Sequence, residues 1–489
     1  MTQVRLASIT DALRRAGLLL AEHGVLPQAI TSIADDSRRV RKGALFLAVR
    51  GAEQDGHDYL PRAEQAGAVV AIVDDPSRTQ LPSLMVSDTR RAAAVAAAAF
   101  YGEPASQLRL AGVTGTNGKT TTVGMLRHLL DEPGARSASI GTLGVLIGSE
   151  GSTLGGGDGL TTPGPVELQR VLRTLHDSGV RTVAMETSSH ALHQGRVEGL
   201  HFETAVFTNF TRDHLDYHVT MEAYLAAKAL LVSLLARSGA AIVNADDPAW
   251  ATLPPAPRTI RFGLREGADV YAHNIVCTPR GSVWTLATGA DVHTVHLPLM
   301  GDFNIANALG AAGAAWAMGV VPADIATRLS SMPQVPGRLE IISERPTVLR
   351  DYAHTPDALA RALDAVRPFT TGRLIAVFGC GGDRDRGKRP EMGRIGQTKA
   401  DLAIVTSDNP RTEDPETILD DIEAGMSAGR HERIEDRRSA IARAIGAARD
   451  GDVVVLAGKG HETYQIRGTA KYPFDEREIV REIITEGVT

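Results

Sequence analysis

The chain is expected to be an α/β protein of three units, on three observations. Short β-branched or apolar runs alternate with helical patterns through much of the sequence, which argues for parallel, doubly wound sheets. The alternation restarts after a cluster of Pro and Gly. The length, 489 residues, exceeds one ordinary domain. The first unit, 1–107, ends at the break Gly102-Glu103-Pro104-Ala105. The second, 108–337, closes on Pro333-Gln334-Val335-Pro336-Gly337. The third is 338–489.

In the central unit, Leu108 to Val113 reads as a strand and Lys119 to Leu130 as a helix. Thr182 to Glu186, Ala205 to Thr208 and Ala240 to Val243 read as further strands, and Met221 to Arg237 as a helix. In the third unit the strands are Thr347 to Arg350, Leu374 to Phe378, Leu402 to Thr406 and Val453 to Leu456. Helices fall at Pro356 to Val366, Pro415 to Met426 and Ser439 to Ala448. The Gly-rich stretch Gly151 to Gly159 is a mobile loop by composition.

Composition excludes several classes. A formal charge of −6 gives no electrostatic reason to expect nucleic acid or an anionic membrane as partner. The two cysteines, Cys277 and Cys380, form no Cys-x-x-Cys pair, so neither a zinc site nor a disulfide framework is expected. That suits a reducing cytoplasm. No window approaches the roughly 20 apolar residues of a membrane span. The apolar run at 16–21 stops at Glu22 and is too short for a signal peptide. A soluble cytoplasmic protein follows, with a monomer as the working expectation.

The strongest local signal is Gly115-Thr116-Asn117-Gly118-Lys119-Thr120-Thr121. It follows a strand and opens a helix, as a phosphate loop must. Glycines let backbone N–H groups approach phosphate oxygens, and the helix N-terminus adds a favourable dipole. Lys119 supplies a point charge, and the Thr120 hydroxyl can ligate Mg²⁺. The spacing departs from G-x-x-x-x-G-K-[ST], because Val113 stands where the first Gly would be. Alone, the motif implies nucleotide phosphate binding and leaves kinases, GTPases and ligases open.

Further motifs narrow the choice. Met185-Glu186-Thr187-Ser188-Ser189-His190 follows a strand, and Phe207-Thr208-Asn209-Phe210-Thr211-Arg212-Asp213-His214 comes next, running on to His218. Then come Gly301 to Ala308 (GDFNIANA), Pro336-Gly337-Arg338-Leu339-Glu340 and Asp351-Tyr352-Ala353-His354-Thr355-Pro356. In kind and order these resemble the Mur ligases. Asp36-Ser37-Arg38, Gly43-Ala44-Leu45-Phe46 and Gln54-Asp55-Gly56-His57 extend the likeness to nearly the whole chain. The resemblance implies a UDP-binding first unit, a phosphate-loop ATPase second unit and a Rossmann-like third unit that binds an amino acid. It also implies a reaction: a carboxylate attacks the γ-phosphate of ATP, and an amine then displaces phosphate from the acyl phosphate.

The same resemblance assigns the parts. One Mg²⁺ falls to Thr120 and Glu186, the other to His214 and Lys228, the latter as a carbamylated lysine (N6-carboxylysine). Carbamylation would turn a cationic amine into an oxygen donor. Without the family, Lys228 reads as a solvated lysine on an amphipathic helix, Glu186 as a strand-end carboxylate and His214 as a turn histidine. His190 and His193 are taken as structural or supporting. Lys119, Lys228, His214 and Glu186 are the catalytic set. Asn304 and Asn307 are implied to hold the nucleotide with Arg338 and Asp351, although Asn304 also suits a helix cap.

For the acceptor, a UDP-muramoyl dipeptide (UDP-N-acetylmuramoyl-L-alanyl-D-glutamate), the implied contacts are Asp35, Ser37, Ala52, Glu53 and Gln54 in the first unit. Thr161, Thr162, Ser188, Gln194 and Arg196 join them from the second. For the amino acid, Asp408-Asn409-Pro410-Arg411 resembles the signature of the branch that adds meso-2,6-diaminopimelate. Diaminopimelate differs from lysine by a far-end carboxylate, which a guanidinium reads with two parallel hydrogen bonds. Arg384 would be a second cation, and Gly458 and Glu462 would take the far-end ammonium. A solvated basic loop remains the plain reading for some of Arg384, Arg386, Lys388 and Arg389. The alternatives are a lysine-adding sister ligase, a folylpolyglutamate-synthase relative, and a phosphate-loop nucleotide-binding protein that makes no peptide bond.

Overall fold

The computed structural model describes residues 3–51, 54–156 and 159–486. Ala52 and Glu53 lie outside the described residues, as do 157 and 158 of the glycine-rich stretch. Among the described residues the chain builds three principal sheets, of five, eleven and six strands. The architecture is α/β, as expected.

The first sheet orders its strands Leu19–His23, Ser83–Val86, Ala68–Val73, Ala44–Leu47, Ser32–Ala34. The central sheet is built around Arg109–Thr114. Val180–Glu186 lies parallel on one side of it and Phe202–Phe207 parallel on the other. The register sets Glu186 beside Val113 and Phe207 beside Thr114, so three carboxyl ends open at one place. Connections leaving adjacent parallel strands at their carboxyl ends form the crevice in which such sheets bind ligands. Separate apolar clusters cover the two faces of this sheet. One packs the helices Lys119–Leu129 and Asp302–Ala317, the other Pro165–Asp177 and Met221–Ser233. Strands at both edges run antiparallel, an extension for which the alternating pattern gave no signal. All three tryptophans, Trp250, Trp284 and Trp316, pack in or against these two clusters.

The helix expected over 221–237 ends at Ser233, and Leu235 already opens the strand Leu235–Asn244. Leu235 pairs with Phe202 across the sheet, and a register shift follows before Thr204 meets Ala240. Sheet pairing therefore takes residues whose local preference is helical. The expected helix Pro415 to Met426 likewise stops early, at Glu423.

In the third sheet the inner strands Thr347–Asp351, Val453–Ala457, Leu374–Phe378 and Leu402–Val405 are parallel. The loops from their carboxyl ends carry 352–355, 458–462, 379–387 and 406–411. Arg437 lies behind two of these loops. Its side chain is fully buried, donates to Ser407 O at 3.4 Å and Ala457 O at 2.9 Å, and pairs with the equally buried Glu476 at 2.8 Å. One guanidinium thus ties the bases of the 408–411 and 458–462 loops to the helix Glu476–Glu486. Removing one partner of a buried pair strands the other charge, which is far costlier than replacing both by apolar groups. We expect Glu476→Ala to lose about 3–5 kcal/mol, and Arg437→Met/Glu476→Leu to lose less. Urea denaturation followed by circular dichroism checks the order; a double variant weaker than the single one contradicts it.

Candidate active site

The phosphate loop is held open by residues of the neighbouring strand end. Thr116 N–H donates to Asn209 O at 2.8 Å, and Asn117 N–H to Asn209 Oδ1 at 2.9 Å. The Thr208 hydroxyl donates to Asn117 O at 2.6 Å. Two positions in the loop require glycine. Gly118 has φ +84°, and a Cβ there would stand 2.2 Å from Asn307 Oδ1. A Cβ on Gly115 would stand 1.8 Å from Thr208 Oγ1. Close approach, together with a left-handed turn at Gly118, is what only glycine permits.

Two lysines converge on this loop. Lys119 Nζ donates to Gly115 O at 2.9 Å and Thr116 O at 2.8 Å. Lys228, 1% exposed on the helix Met221–Ser233, donates to Gly115 O at 2.7 Å. Burial lowers the pKa of Lys119, with Glu186 and Asp213 opposing. Burial and then the neighbouring Lys119 push Lys228 well below an ordinary lysine. Among the described residues Lys228 makes no ion pair. Its ammonium instead lies 4.4 Å over the Tyr224 ring.

Across the cleft, Glu186 is 1% exposed and accepts from Thr142 N–H at 2.8 Å and the Thr142 hydroxyl at 3.2 Å. No cation is paired with it among the described residues. Thr120 Oγ1 accepts from Arg338 Nη2 at 2.8 Å. Burial keeps the His214 imidazole neutral against the attraction of Asp213. The His190 ring packs 4.7 Å from that of His214 and 4.3 Å from that of Tyr217, a supporting position. His193 bonds Tyr217 OH at 2.9 Å. Among the described residues no three His, Cys, Asp or Glu side chains gather as a metal cage.

The third unit closes the cleft. Arg338 stacks 4.7 Å over Tyr352. Asp351 accepts from Leu339 N–H and Ala353 N–H, both at 2.7 Å, and burial raises its pKa. Asn117 Nδ2 reaches Asp357 Oδ2 at 3.3 Å. Thr116 to Thr121, Glu186, His214, Lys228, Asn307, Arg338 and Asp351 all line one cleft, with Phe303, His354 and Arg361 completing its wall. Asn304 does not line it. Its amide donates to Met300 O at 2.7 Å, and its oxygen accepts from Asn307 at 3.2 Å, so it orients Asn307. Gly301, not Asn304, stands at the N-cap of that helix.

Thr161 and Ser188 also face the cleft. Thr162 is buried and donates to Glu186 O at 2.8 Å. Arg196 donates to Thr162 O at 3.0 Å and to Gln194 Oε1 at 2.9 Å and 2.6 Å. Among the described residues it has no carboxylate partner, and burial lowers its pKa. In the first unit, a Cβ on Gly164 would lie 3.6 Å from the Asp35 carboxylate, which brings that unit beside the 161–164 segment. Ser37 is buried in the turn Ser37–Arg39, and Gln54 Oε1 accepts from Tyr59 OH at 3.0 Å.

At the strand ends of the third unit, Arg411 and Arg384 meet beside Gly381. A Cβ there would lie 2.8 Å from Arg411 Nη1 and 3.8 Å from Arg384 Cγ. Arg411 donates to Gly382 O at 2.8 Å and Arg384 to Asp383 O at 2.7 Å; neither makes an ion pair among the described residues. Burial, then the like charge of Arg384, lowers the pKa of Arg411. Asn409 is already engaged: Lys459 donates to its oxygen at 3.0 Å, and its amide donates to Glu462 at 2.8 Å. Asp408 is buried with Oδ1 lacking a hydrogen bond, 3.5 Å from Lys459. Pro410 O accepts from Glu413 N–H at 3.2 Å. Gly458 N–H donates to Asp351 O at 3.0 Å, which joins this loop to the nucleotide cleft.

Of the basic run, Arg386 is exposed, whereas Arg389 is fully buried between Glu413 and Asp421 at 2.8 Å each. The solvated reading fails for Arg389. Sequence reasoning also missed Thr142, which cradles Glu186, and Lys459, fully buried beside Asn409 and Glu462. Lys459 lies between the two residues assigned to the far-end ammonium, Gly458 and Glu462, so the signal was present. Thr142 carries none beyond its place after a strand end.

Comparisons with known proteins agree with this geometry. Residues 113–315 match the Mur ligase middle domain, 337–460 the Mur ligase glutamate ligase domain, and 29–101 the Mur ligase family catalytic domain. A protein of Geobacillus kaustophilus named UDP-N-acetylmuramoyl-L-alanyl-D-glutamate–2,6-diaminopimelate ligase is 45% identical, with 95% of this chain and 96% of that protein covered. One of the same name from Synechococcus elongatus is 46% identical, covering 96% and 97%. A solved structure under that name superposes with a TM-score of 0.69 at 33% identity, over 100% of both chains. MurF from Acinetobacter baumannii shares the fold, with a TM-score of 0.67 at 20% identity and 99% of each chain covered. With near-complete coverage at this identity and a phosphate loop facing the third unit across one cleft, the chain belongs to the Mur ligase family.

Proposed function

We propose that the chain joins meso-2,6-diaminopimelate to UDP-N-acetylmuramoyl-L-alanyl-D-glutamate at the expense of ATP. The acceptor's glutamyl carboxylate attacks the γ-phosphorus and ADP leaves, giving an acyl phosphate. The diaminopimelate amine then attacks the carbonyl, loses a proton, and expels phosphate. The observation that carries the reading is the pair Arg411 and Arg384. The Arg411 guanidinium and the Arg384 side chain flank Gly381, each held by a backbone carbonyl and neither ion-paired among the described residues, and together form a seat for an anionic group. Lysine lacks that group and would leave the cations unanswered, which discriminates strongly. Arg196, equally without an acidic partner among the described residues, is the seat for the acceptor's carboxylate.

Mg²⁺ fits donors that line this cleft. The Thr120 hydroxyl, the buried Glu186 with no ion pair among the described residues, the neutral His214 and an oxygen on Lys228 are the ligands we assign. Magnesium favours oxygen donors, one or two carboxylates and substrate phosphates over a closed protein cage. When bound, the ion supplies positive charge to the transferring phosphoryl oxygens. An ammonium at position 228 does not fit that role. Its depressed pKa favours the neutral amine, the form that adds carbon dioxide to give a carbamate. Lys119 steadies the terminal phosphates, and Asn307, Arg338 and Asp351 hold the nucleotide from the facing units. The cytoplasm is the compartment we assign; no helix among the described residues is long and apolar enough to cross a membrane.

Phosphate release should require the UDP-dipeptide and diaminopimelate together. Mass analysis of a reaction offered both diaminopimelate and lysine should show the diaminopimelate product; ATP hydrolysis without a new amide would point to a nucleotide-binding protein of another kind. Arg411→Ala should lower kcat/KM for diaminopimelate by about 100- to 1000-fold, the worth of two charged hydrogen bonds, with the KM for ATP nearly unchanged. Equal losses for both substrates would remove the selectivity argument. Lys228→Ala should lose on the order of 10³-fold in kcat and recover in part with added acetate or formate. Activity near that of the parent enzyme would end the carbamate assignment.

A further inference from the structure

Arg411 carries its side chain from a backbone that non-glycine residues avoid, with φ +51°. The cause lies in the hairpin Tyr464–Arg467 and Ala470–Pro473, which forms a two-stranded sheet of its own. Arg411 N–H donates to Ile466 O at 3.1 Å, and Arg411 O accepts from Gly468 N–H at 2.7 Å, a parallel bridge centred on Arg467. Upstream, Gln465 Nε2 donates to Asp408 O at 2.8 Å, and Ile466 N–H to Asn409 Oδ1 at 2.9 Å. Arg467 Nε donates to Gln465 Oε1 at 3.1 Å, which orients that amide.

Apolar packing does not explain why the hairpin sits there. Among the described residues, none from 464 to 473 joins an apolar cluster, and the strand Ala470–Pro473 is exposed along its length. Its hydrogen bonds go to the segment that carries Arg411. With both backbone groups of Arg411 taken by the hairpin, the guanidinium is directed to Gly382 O and toward Arg384. Released, Arg411 would return to the common backbone basins, and its side chain would leave that seat.

We infer that the hairpin Tyr464–Pro473 is a clip that positions Arg411, making Gln465 and Gly468 positioning residues for selection of the amino acid's far-end carboxylate. The inference rests on the reading that Arg411 takes that carboxylate. It assigns specificity to an exposed element that supplies no atom to the reaction.

The test uses the enzyme with Gly468→Pro, which removes the N–H given to Arg411 O and cannot hold the φ of +60° at which the hairpin turns, and Gln465→Leu, which removes the amide on Asp408 O and the acceptor for Arg467. Thr469→Ala, at the exposed turn, is the control. In both clip variants the KM for diaminopimelate should rise about tenfold, with the KM for ATP and for the UDP-dipeptide within about twofold. The preference for diaminopimelate over lysine should fall by a similar factor, and amide hydrogen exchange over 408–413 should quicken. Thr469→Ala should match the parent enzyme. Unchanged exchange over 408–413 in both variants overturns the clip, as does a parallel rise of all three KM values with a falling Tm. A parent enzyme that fails to ligate diaminopimelate overturns the function proposed above, while hydrogen exchange still decides the clip.

Discussion

Lys119 and Lys228 come from different helices and donate to a single carbonyl oxygen, that of Gly115, at 2.9 Å and 2.7 Å. Two buried amines on one neutral acceptor is an arrangement that disfavours charge on both, and burial with the neighbouring Lys119 lowers the pKa of Lys228 furthest. Among the described residues neither lysine has an acidic partner within ion-pair distance, so Lys119 is held by carbonyl oxygens alone. The same economy recurs across the site. Arg196 is held by Thr162 O and Gln194, Arg411 by Gly382 O, Arg384 by Asp383 O. Backbone and amide dipoles orient each cation without pairing its charge among the described residues.

Elsewhere the rule inverts. Arg389 is bound by Glu413 and Asp421, and Arg437 by Glu476, each fully buried. These guanidiniums hold loops together and have no charge to spare. Fully buried paired cations of this kind build the frame; the cations held by carbonyls are those the proposed function assigns to substrates. Glu186 is the mirror image, a buried carboxylate satisfied by the N–H and hydroxyl of Thr142 and left without a cation among the described residues.

Much of this was legible from the residues. The phosphate loop was readable because strand, turn and helix must occur in that order, and its glycines answer to Asn307 and Thr208 in the folded chain. The strand ends of the third unit were readable from their continuous apolar runs. What escaped depended on partners remote in sequence. Asn304 looked like a nucleotide contact but serves Asn307, and Arg389 looked like a loop arginine but is interior. Thr142 had no local mark, because its value lies in facing Glu186 from an adjacent strand. The helix at 221–233 was overextended because sheet pairing by Leu235 is invisible in a window of local preference.

The placement of the tryptophans has a practical consequence. Trp250, Trp284 and Trp316 all belong to the packing around the eleven-stranded sheet, and the other two sheets have none. Intrinsic indole emission therefore reports on the central, eleven-stranded body alone. Melting of the five- or six-stranded sheet would be optically dark at those wavelengths, and an indole introduced beside the six-stranded sheet would give that body a signal of its own.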